Sequence, residues 1–399
     1  MANDNTVRDA LTRRDYVKYG GAAISGGLLA GCTSDGSQSA TEQDTATSTS
    51  TATATEQGTS ETTSTETSYS VTIEPTGEVT FDAVPETWVA ENASWADMGV
   101  ALGMDKPSAV VLTGEYRTWH YEDIPGLSTS KDEMVSLWQD GISKELFLEL
   151  DAGVHFIDPN YMTNLIPNWK RSDVDEMSGQ VAPFCGNTSF STYSWHEDYP
   201  YYSLYEATEK VAQVFQRMDR YRALKALHDN FISEVQKRLP PESERPAIAL
   251  FSPASKEPEK FYPYRLGETT AYKHWHDLGV SDALAGTDIQ SFTSDRGSID
   301  YEPLLEIDPG ILMFYTDRHW TRSEFRDTYL SFLQDHSTAS QLTAVQNGDV
   351  YPAGGMYQGP ISNLSKTERA AKQLFPDEFS QDEQLYDRQR LADIRDGAV

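Results

Sequence analysis

Short apolar runs alternate along the chain with segments in which apolar residues recur every three or four positions. The short runs are bounded by polar or turn-forming residues, which is typical of buried strands, whereas the wider spacing is typical of helices with one buried face. Strands are predicted at 108–112, 154–157, 247–251, 310–314 and 349–351, and helices at 134–150, 270–278, 302–307 and 322–334. Strands that alternate with helices in this way favour parallel α/β units.

One longer segment interrupts this alternation. Between residues 204 and 239 the apolar positions keep a helical spacing throughout, and Pro240 and Pro241 end the pattern. A continuous helix of this length would be roughly 50 Å long. Because it lies midway between two α/β halves, we predict a spine that joins two lobes. The alternatives are a long surface helix of one large domain, or two helices in succession.

The first 32 residues carry the pattern of an export signal. Arg13 and Arg14 precede a weakly apolar run at 19–29, and the sequence Leu-Ala-Gly-Cys ends at Cys32. Paired arginines before a short apolar run are typical of twin-arginine export, and Leu-Ala-Gly-Cys resembles a lipobox, whose cysteine is lipidated. The apolar run is too short to cross a bilayer core of ~30 Å. We therefore predict a signal at 1–32 and a lipid anchor at Cys32, on the extracellular face of the cell membrane.

The next segment, 33–70, consists largely of Thr, Ser, Glu, Gln and Ala and contains no Lys or Arg. Such a composition cannot bury enough apolar surface to offset the entropy of ordering the chain. We predict a disordered tether that holds the folded part away from the membrane.

The charge of the chain indicates its habitat. Its 32 Lys and Arg stand against 62 Asp and Glu, which gives a formal net charge of -30 at pH 7. A chain this acidic repels itself unless salt screens it, so we interpret it as a protein of a salt-loving organism, an archaeon in view of the export signal. The same charge excludes nucleic acid as a partner, because basic patches supply that affinity.

Catalytic and metal-binding motifs are missing from the sequence. It contains no GxSxG, HExxH or P-loop pattern, so we predict no enzymatic activity and no cofactor. His274 and His276 are two positions apart and would diverge on a helix, which disfavours direct metal ligation. Cys185 is the only cysteine besides Cys32; it ends an apolar run and is predicted to be a buried, inert thiol.

Several motifs follow one another along the chain in a recognisable order, at 101–103, 124–127, 144–154, 278–280, 301–310, 342–351 and 370–379. Together they resemble the class III (cluster A) solute-binding proteins of ABC importers, the family that binds ferric siderophores, vitamin B12 or haem. Two departures are Ala152-Gly153, where the family has Pro-Asp, and Gly310, where it has Asp.

This resemblance implies an α/β fold of two lobes, each with a mainly parallel sheet, joined by one long spine helix. The implied domains are an N-terminal lobe at 71–203, the spine at 204–239, a C-terminal lobe at 240–379 and an acidic C-terminal tail at 380–399. The implied function is capture of an iron chelate, a ferric siderophore first of all, and its delivery to an ABC permease with its ATPase. The alternatives are cobalamin or haem as cargo, or a sensory or adhesive domain that reuses the fold. By motif, Glu145 and Glu302 correspond to the glutamates with which this family docks on its permease.

The loops that follow the predicted strands are rich in aromatic residues and arginine. In open α/β sheets ligands lie beyond the carboxyl ends of the strands, aromatic rings provide broad apolar contact, and arginine provides permanent charge for oxygen anions. The aromatic run at 190–205 is interpreted as mostly packing. The predicted ligand-binding residues are Tyr116, Arg117, Trp119, Tyr161, Tyr262, Tyr264, Arg265, Arg318, Trp320 and Tyr357.

Overall fold

A computed structural model of the chain describes residues 68–196, 199–316 and 319–399. The predicted signal at 1–32 with Cys32, residues 33–67 of the predicted tether, and Arg318 lie outside these ranges.

The described residues begin with an antiparallel hairpin, followed by the first lobe. The first lobe contains a four-stranded sheet of order β5-β4-β3-β6, in which all pairs are parallel. Its central strand β3 pairs Val89 with both Ala109 and His155. The strands are β1 (Tyr69–Ile73) and β2 (Gly77–Phe81) of the hairpin, then β3 (Trp88–Ala90), β4 (Ala109–Val110), β5 (Val135–Ser136) and β6 (Val154–Phe156), and the helices are α1 (Ala93–Ala101), α2 (Lys144–Leu150), α3 (Pro159–Leu165) and α4 (Arg171–Gln180).

The predicted spine consists of two helices, α5 (Leu204–Val214) and α6 (Met218–Arg238), so the prediction of one continuous helix is wrong. Gln216 between them adopts a left-handed conformation with φ 54°. The Arg217 N–H donates to Ala212 O at 2.8 Å, which closes the end of α5 as a Schellman-type cap does. The break allows Phe215 to be fully buried against Trp88 and Phe156 of the first lobe.

The second lobe repeats the architecture of the first. Among its described residues, a five-stranded sheet has the order β11-β10-β7-β8, with β9 also on β7. β10 pairs parallel with β7 and β11, and only β8 is antiparallel to its neighbour. The strands are β7 (Ala247–Pro253), β8 (Phe261–Tyr264), β9 (Ser281–Asp282), β10 (Leu312–Tyr315) and β11 (Val350–Gly354), and the helices are α7 (Lys273–Asp277), α8 (Phe292–Asp295), α9 (Tyr301–Ile307), α10 (Arg322–Phe325), α11 (Ser331–Asp335) and α12 (Thr343–Asn347), with a π-helical turn at Arg326–Leu330 between α10 and α11.

Two more helices follow the second sheet and return to the first lobe. α13 (Pro360–Leu374) contacts α1 and α7, and α14 (Arg388–Asp396) packs on α6. Leu391 and Ile394 of α14 are fully buried, so the region 380–399 is not the tail that we predicted. Within the described ranges no helix is both long and apolar enough to cross a membrane.

The structure confirms the predicted fold class, two α/β lobes with mainly parallel sheets. Each predicted strand is present, because each apolar run is buried on both faces of its sheet. The predicted helix at 134–150 is only partly present, since Val135–Ser136 is a strand and the helix begins at Lys144.

Candidate functional site

The loops after the parallel strands of both lobes meet at one cleft. Phe190 of the first lobe lies edge-on to Tyr357, the ring centroids being 5.0 Å apart. Thr269 Oγ1 donates to Phe190 O at 2.9 Å. Trp119 after β4 stacks on His319 after β10, at 4.7 Å and an interplanar angle of 10°. The cleft is therefore formed by both lobes, at the position where open α/β sheets bind ligands.

Arg117 lies in this cleft. Its Nη2 donates to Glu115 Oε2 at 2.9 Å, and the Arg117 side chain is 11% exposed. A Cβ at Gly355 would lie 2.9 Å from Arg117 Nε, so glycine at this position allows the guanidinium to approach the loop after β11. Arg117 and Tyr116 line a small cavity together with Tyr357. The structure thus brings together predicted residues from both lobes.

A second small cavity adjoins the first and shares Glu115 and Tyr357 in its lining, with Tyr161 on another side. Each cavity has a volume of about 10 Å³, which is about the space needed for one water molecule. These two cavities are therefore too small for a ligand larger than water, and the groups around them must move apart before such a ligand can enter.

Buried polar groups hold the base of the cleft. Lys366 is 3% exposed, and its Nζ donates to the carbonyl oxygens of Gly355 and Tyr357. Burial, with Arg117 and Arg369 nearby, lowers the pKa of Lys366 well below its usual value. Asp97 Oδ2 accepts hydrogen bonds from the N–H and hydroxyl of Ser362, and burial raises the pKa of Asp97 to about 6. These bonds fix the loop that carries Tyr357.

Glu91, which lines the second cavity, forms a buried carboxyl pair with Asp158. Glu91, directly after β3, accepts hydrogen bonds from Asp158 N at 3.0 Å and from the Thr188 hydroxyl. Burial first, and the nearby Asp158 carboxylate second, raise the pKa of Glu91 to about 8. Burial also raises the pKa of Asp158. Glu91 is therefore protonated at neutral pH, which lets two buried carboxyl groups lie close together.

Glu91→Gln is expected to reduce the pH dependence of stability. The folded state holds the Glu91 proton up to about pH 8, whereas the ordinary value is 4.5. Between these values the wild-type protein therefore loses stability as pH rises, by up to about 1.4 kcal/mol per pH unit from this one group. The Gln side chain does not ionise at any pH, so this contribution to the pH dependence is absent from the variant. Urea unfolding at a series of pH values should show a shallower decline for this variant.

The matched control is Glu78→Gln at an exposed position of β2, which should keep the wild-type slope. Equal slopes in Glu91→Gln and wild type would contradict a protonated Glu91.

The structure places the predicted residues of β8 elsewhere. We predicted 261–265 as a loop after β7, but Phe261–Tyr264 is an antiparallel strand at the far edge of the sheet. Tyr264 packs against Tyr315, and Tyr262 packs against Phe292. Arg265 Nε lies 3.4 Å from Asp282 Oδ2. None of these three residues lines the cavities of the described cleft.

Trp119 and Trp320 line a larger pocket of about 350 Å³ beside the cleft. Trp320 is 3% exposed and packs edge-on against Phe325 and Tyr329, so most of its ring belongs to the core of the second lobe. Of the ten predicted residues, Arg318 is outside the described ranges.

The two predicted docking glutamates occupy equivalent positions in the two lobes. Glu145 is exposed in the first turn of α2, which Ser143 caps, and Glu302 is exposed in the first turn of α9, which Asp300 caps. Both helices end in a left-handed aspartate, Asp151 in α2 and Asp308 in α9. A surface depression of about 630 Å³ has Glu145 in its lining.

His274, His276 and Cys185 are held by packing or hydrogen bonds within the protein. His274 is buried with Nδ1 2.8 Å from Gln358 Nε2, and the Nε2 of His276 lies 2.8 Å from Gly267 O. Searched over the described residues, no group of three or more His, Cys, Asp or Glu side chains could hold a metal ion. Cys185 is fully buried, and burial raises the pKa of its thiol to about 12.

Sequence reasoning missed several cleft residues. Glu91 and Asp97 follow the three-residue strand β3, which was not predicted, and Phe190 was interpreted as packing although it contacts Tyr357. His120 lies in the loop after β4 and Lys366 on α13; both line the first cavity, and neither was predicted as a binding residue. A usable signal was the polar pair Glu91-Asn92 directly after the apolar Trp88–Ala90.

The family model described as periplasmic binding protein matches residues 167–355, which span parts of both lobes. A search of curated proteins found no match.

Solved structures of the same architecture include a periplasmic binding protein from Veillonella parvula, with 14% identity, a TM-score of 0.54, and coverage of 77% of this chain and 98% of that one. The triscatecholate siderophore binding protein FeuA from Bacillus subtilis, complexed with ferri-bacillibactin, matches at 13% identity and a TM-score of 0.53, with coverage of 77% and 98%. A periplasmic solute binding protein from Mycobacterium smegmatis matches at 14% identity and 0.51, with coverage of 76% and 97%. The chain thus has the two-lobed fold of the periplasmic binding proteins.

Proposed function

We propose that this protein is the extracytoplasmic solute-binding protein of an ABC importer and that it captures a ferric siderophore between its lobes. The observation that carries this proposal is the closed cleft in which Arg117, Tyr161 and Tyr357 converge from loops of both lobes. A binding protein needs a site that two lobes complete together, because cargo that contacts both lobes stabilises the conformation in which they lie close together. The protein acts by binding, without catalysis.

The cleft chemistry favours an anionic, partly aromatic chelate. Arg117 brings a planar guanidinium to the cavity wall, and Tyr357 and Phe190 present ring edges and faces. A guanidinium forms paired hydrogen bonds to catecholate or carboxylate oxygens, which neutral cargo does not offer. Catecholate siderophores and the propionates of haem both offer such oxygens, so the order of cargoes, ferric siderophore first, then cobalamin and haem, rests on the family resemblance.

The test is a ligand panel. Ferric triscatecholate, ferric trihydroxamate, cyanocobalamin and haem are each added to the purified full chain, and thermal unfolding is recorded. A bound ligand at about 100 times its Kd stabilises the folded state by about 2.7 kcal/mol. We expect the ferric triscatecholate to give the largest shift. If no chelate shifts the transition, the domain is better explained as a sensor or adhesin, and a search for a permease and an ATPase among the adjacent genes separates these cases.

Arg117→Gln is expected to weaken binding of the chelate by about tenfold or more, because a charge-assisted hydrogen bond contributes ~1.5–3 kcal/mol. Isothermal titration with the best ligand of the panel measures this. Arg265→Gln is the control, since Arg265 pairs with Asp282 away from the cavities. Unchanged affinity in Arg117→Gln, with loss in Arg265→Gln, would place the site at β8 instead.

We also propose that the mature protein is anchored to the outer face of the cell membrane through a lipid on Cys32. Cys32→Ser should release the folded domain into the soluble fraction, because the protein then has no acyl chain to partition into the bilayer. Membrane fractionation after high-salt washing measures this. The released domain should unfold at the wild-type temperature. A Cys32→Ser protein that still sediments with membranes would contradict the anchor.

A further inference from the structure

The pocket beside the cleft is larger than the cleft cavities. It lies between the 119–123 loop of the first lobe, the helical segment from Arg322 to Arg326, the edge strand β11 and the outer face of α13. Its volume of about 350 Å³ is within the usual size of a small-molecule site. The Trp119–His319 stack that joins the two lobes forms part of its wall. Among the described residues, none lines both this pocket and either of the small cleft cavities, so the spaces are separate.

The lining of this pocket is basic, although the chain carries a net charge of -30. The acidic lining residue Glu368 forms ion pairs with two basic side chains, through Lys372 Nζ at 2.8 Å and Arg388 Nη2 at 2.9 Å. Glu122 and Asp123 are exposed at the rim, and Asp123 lies 3.9 Å from the same Arg388. The basic lining residues are Arg322, Arg326, Arg369, Lys372 and Arg388.

Three of these arginines have no acidic partner among the residues that the structure describes. Across residues 68–196, 199–316 and 319–399, no carboxylate lies within 4.0 Å of a side-chain nitrogen of Arg322, Arg326 or Arg369. Arg322 and Arg326 are four residues apart on a helical segment, so they project from one face.

Arg369 is the most confined of the three. Its guanidinium lies 4.5 Å from the centroid of Trp119, and His319 also stacks on that indole. Burial lowers the pKa of Arg369 to about 10. Burial of a cation without a counter-charge is unfavourable, and an anion in the pocket would relieve it.

We propose that this pocket is a second ligand site, which binds a small multivalent oxyanion, such as a polycarboxylate or phosphate, between Arg369 and the Arg322–Arg326 pair. Each guanidinium can offer two parallel N–H donors to such an anion. The anion would contact the second lobe through α10 and the returning helix α13. The site does not depend on the identity of the cargo in the cleft.

The test is isothermal titration of the full chain with citrate and, separately, with inorganic phosphate, at matched ionic strength. Saturable binding of either probe supports the site, and the tighter probe identifies the polycarboxylate or the phosphate as its ligand. Arg322→Gln/Arg326→Gln, on exposed positions that leave the core intact, should weaken that binding by about tenfold or more. Arg369→Gln should do the same, with its folding checked by thermal unfolding.

Arg222→Gln is the matched control, because Arg222 is an exposed arginine of α6 that pairs with Asp219 and lies outside the pocket. It should bind the probe as the wild type does. A Kd above about 1 mM for both probes, or equal affinity in the double variant and the wild type, would overturn the proposal.

Discussion

Trp88→Ala is expected to lower the free energy of unfolding by about 3–5 kcal/mol, the cost typical of removing a large aromatic side chain from a packed core. Trp88 is 1% exposed. Its ring lies edge-on to Phe156, at 5.9 Å and 80°, and to Phe215, at 5.6 Å and 71°. The variant therefore leaves a cavity where the central strand of the first lobe meets the end of α5.

Neighbouring contacts indicate that this cavity cannot collapse easily. A Cβ at Gly99 would lie 2.5 Å from the Trp88 ring, so α1 already approaches the indole as closely as its backbone allows. Trp88 Nε1 also donates to Asp105 O at 3.2 Å.

Urea unfolding followed by circular dichroism measures the loss of stability. Leu148→Ala is the control, because Leu148 is 49% exposed and should change stability by about 0.5 kcal/mol or less. A loss below about 1.5 kcal/mol in Trp88→Ala would show that the surroundings repack.

The strands could be predicted from the sequence wherever the apolar run was long enough. The apolar runs at 247–251 and 310–314 correctly predicted β7 and β10, because a strand buried on both faces needs consecutive apolar residues. β3 was missed because Trp88–Ala90 has three residues, too few to form a recognisable run. Its place at the centre of the sheet comes from pairing with β4 and β6, which is information that no local pattern contains.

The pattern of apolar residues also did not indicate the break between the two helices of the spine. The apolar positions Val214, Phe215 and Met218 keep helical spacing through the break, and neither Gly nor Pro marks it. Gln216 adopts its left-handed conformation although glycine is the usual residue there. Burial of Phe215 against two aromatic rings of the first lobe outweighs the local preference for helix, so tertiary packing decides where α5 ends.

The candidate site was predictable in the first lobe and less so in the second. Tyr116, Arg117 and Tyr161 follow parallel strands, and the structure brings them to the cleft with Tyr357. The residues of 262–265 were assigned to the cleft by the same rule, but they lie on an antiparallel edge strand. The order of strands in the sheet decides which loops meet, and the periodicity of the chain does not contain that order.

The two lobes present one helix each in the same form. α2 and α9 both have seven residues, a polar N-cap, a glutamate in the first turn and an aspartate with φ near +42° at the C-cap. Glu145 and Glu302 are therefore displayed alike on two related surfaces. A permease with two equivalent halves could bind two such carboxylates in the same way, one on each lobe.

Glu145→Ala/Glu302→Ala is accordingly expected to abolish cargo uptake by cells while the protein stays folded and binds its ligand. Both carboxylates are exposed, so their removal leaves no cavity. If they served only to stabilise their helices through the helix dipole, each change would cost ~0.3–1 kcal/mol and uptake would be normal. Uptake of a labelled chelate by cells, with thermal unfolding and ligand affinity of the purified variant, separates these outcomes.

Glu149→Ala/Glu306→Ala is the matched control, since both residues are exposed one turn further along the same helices. The Debye length is only ~3 Å at 1 M salt, so raising the external salt screens these exposed carboxylates and should weaken wild-type uptake. Normal uptake by the Glu145→Ala/Glu302→Ala variant would show that docking does not depend on these two carboxylates.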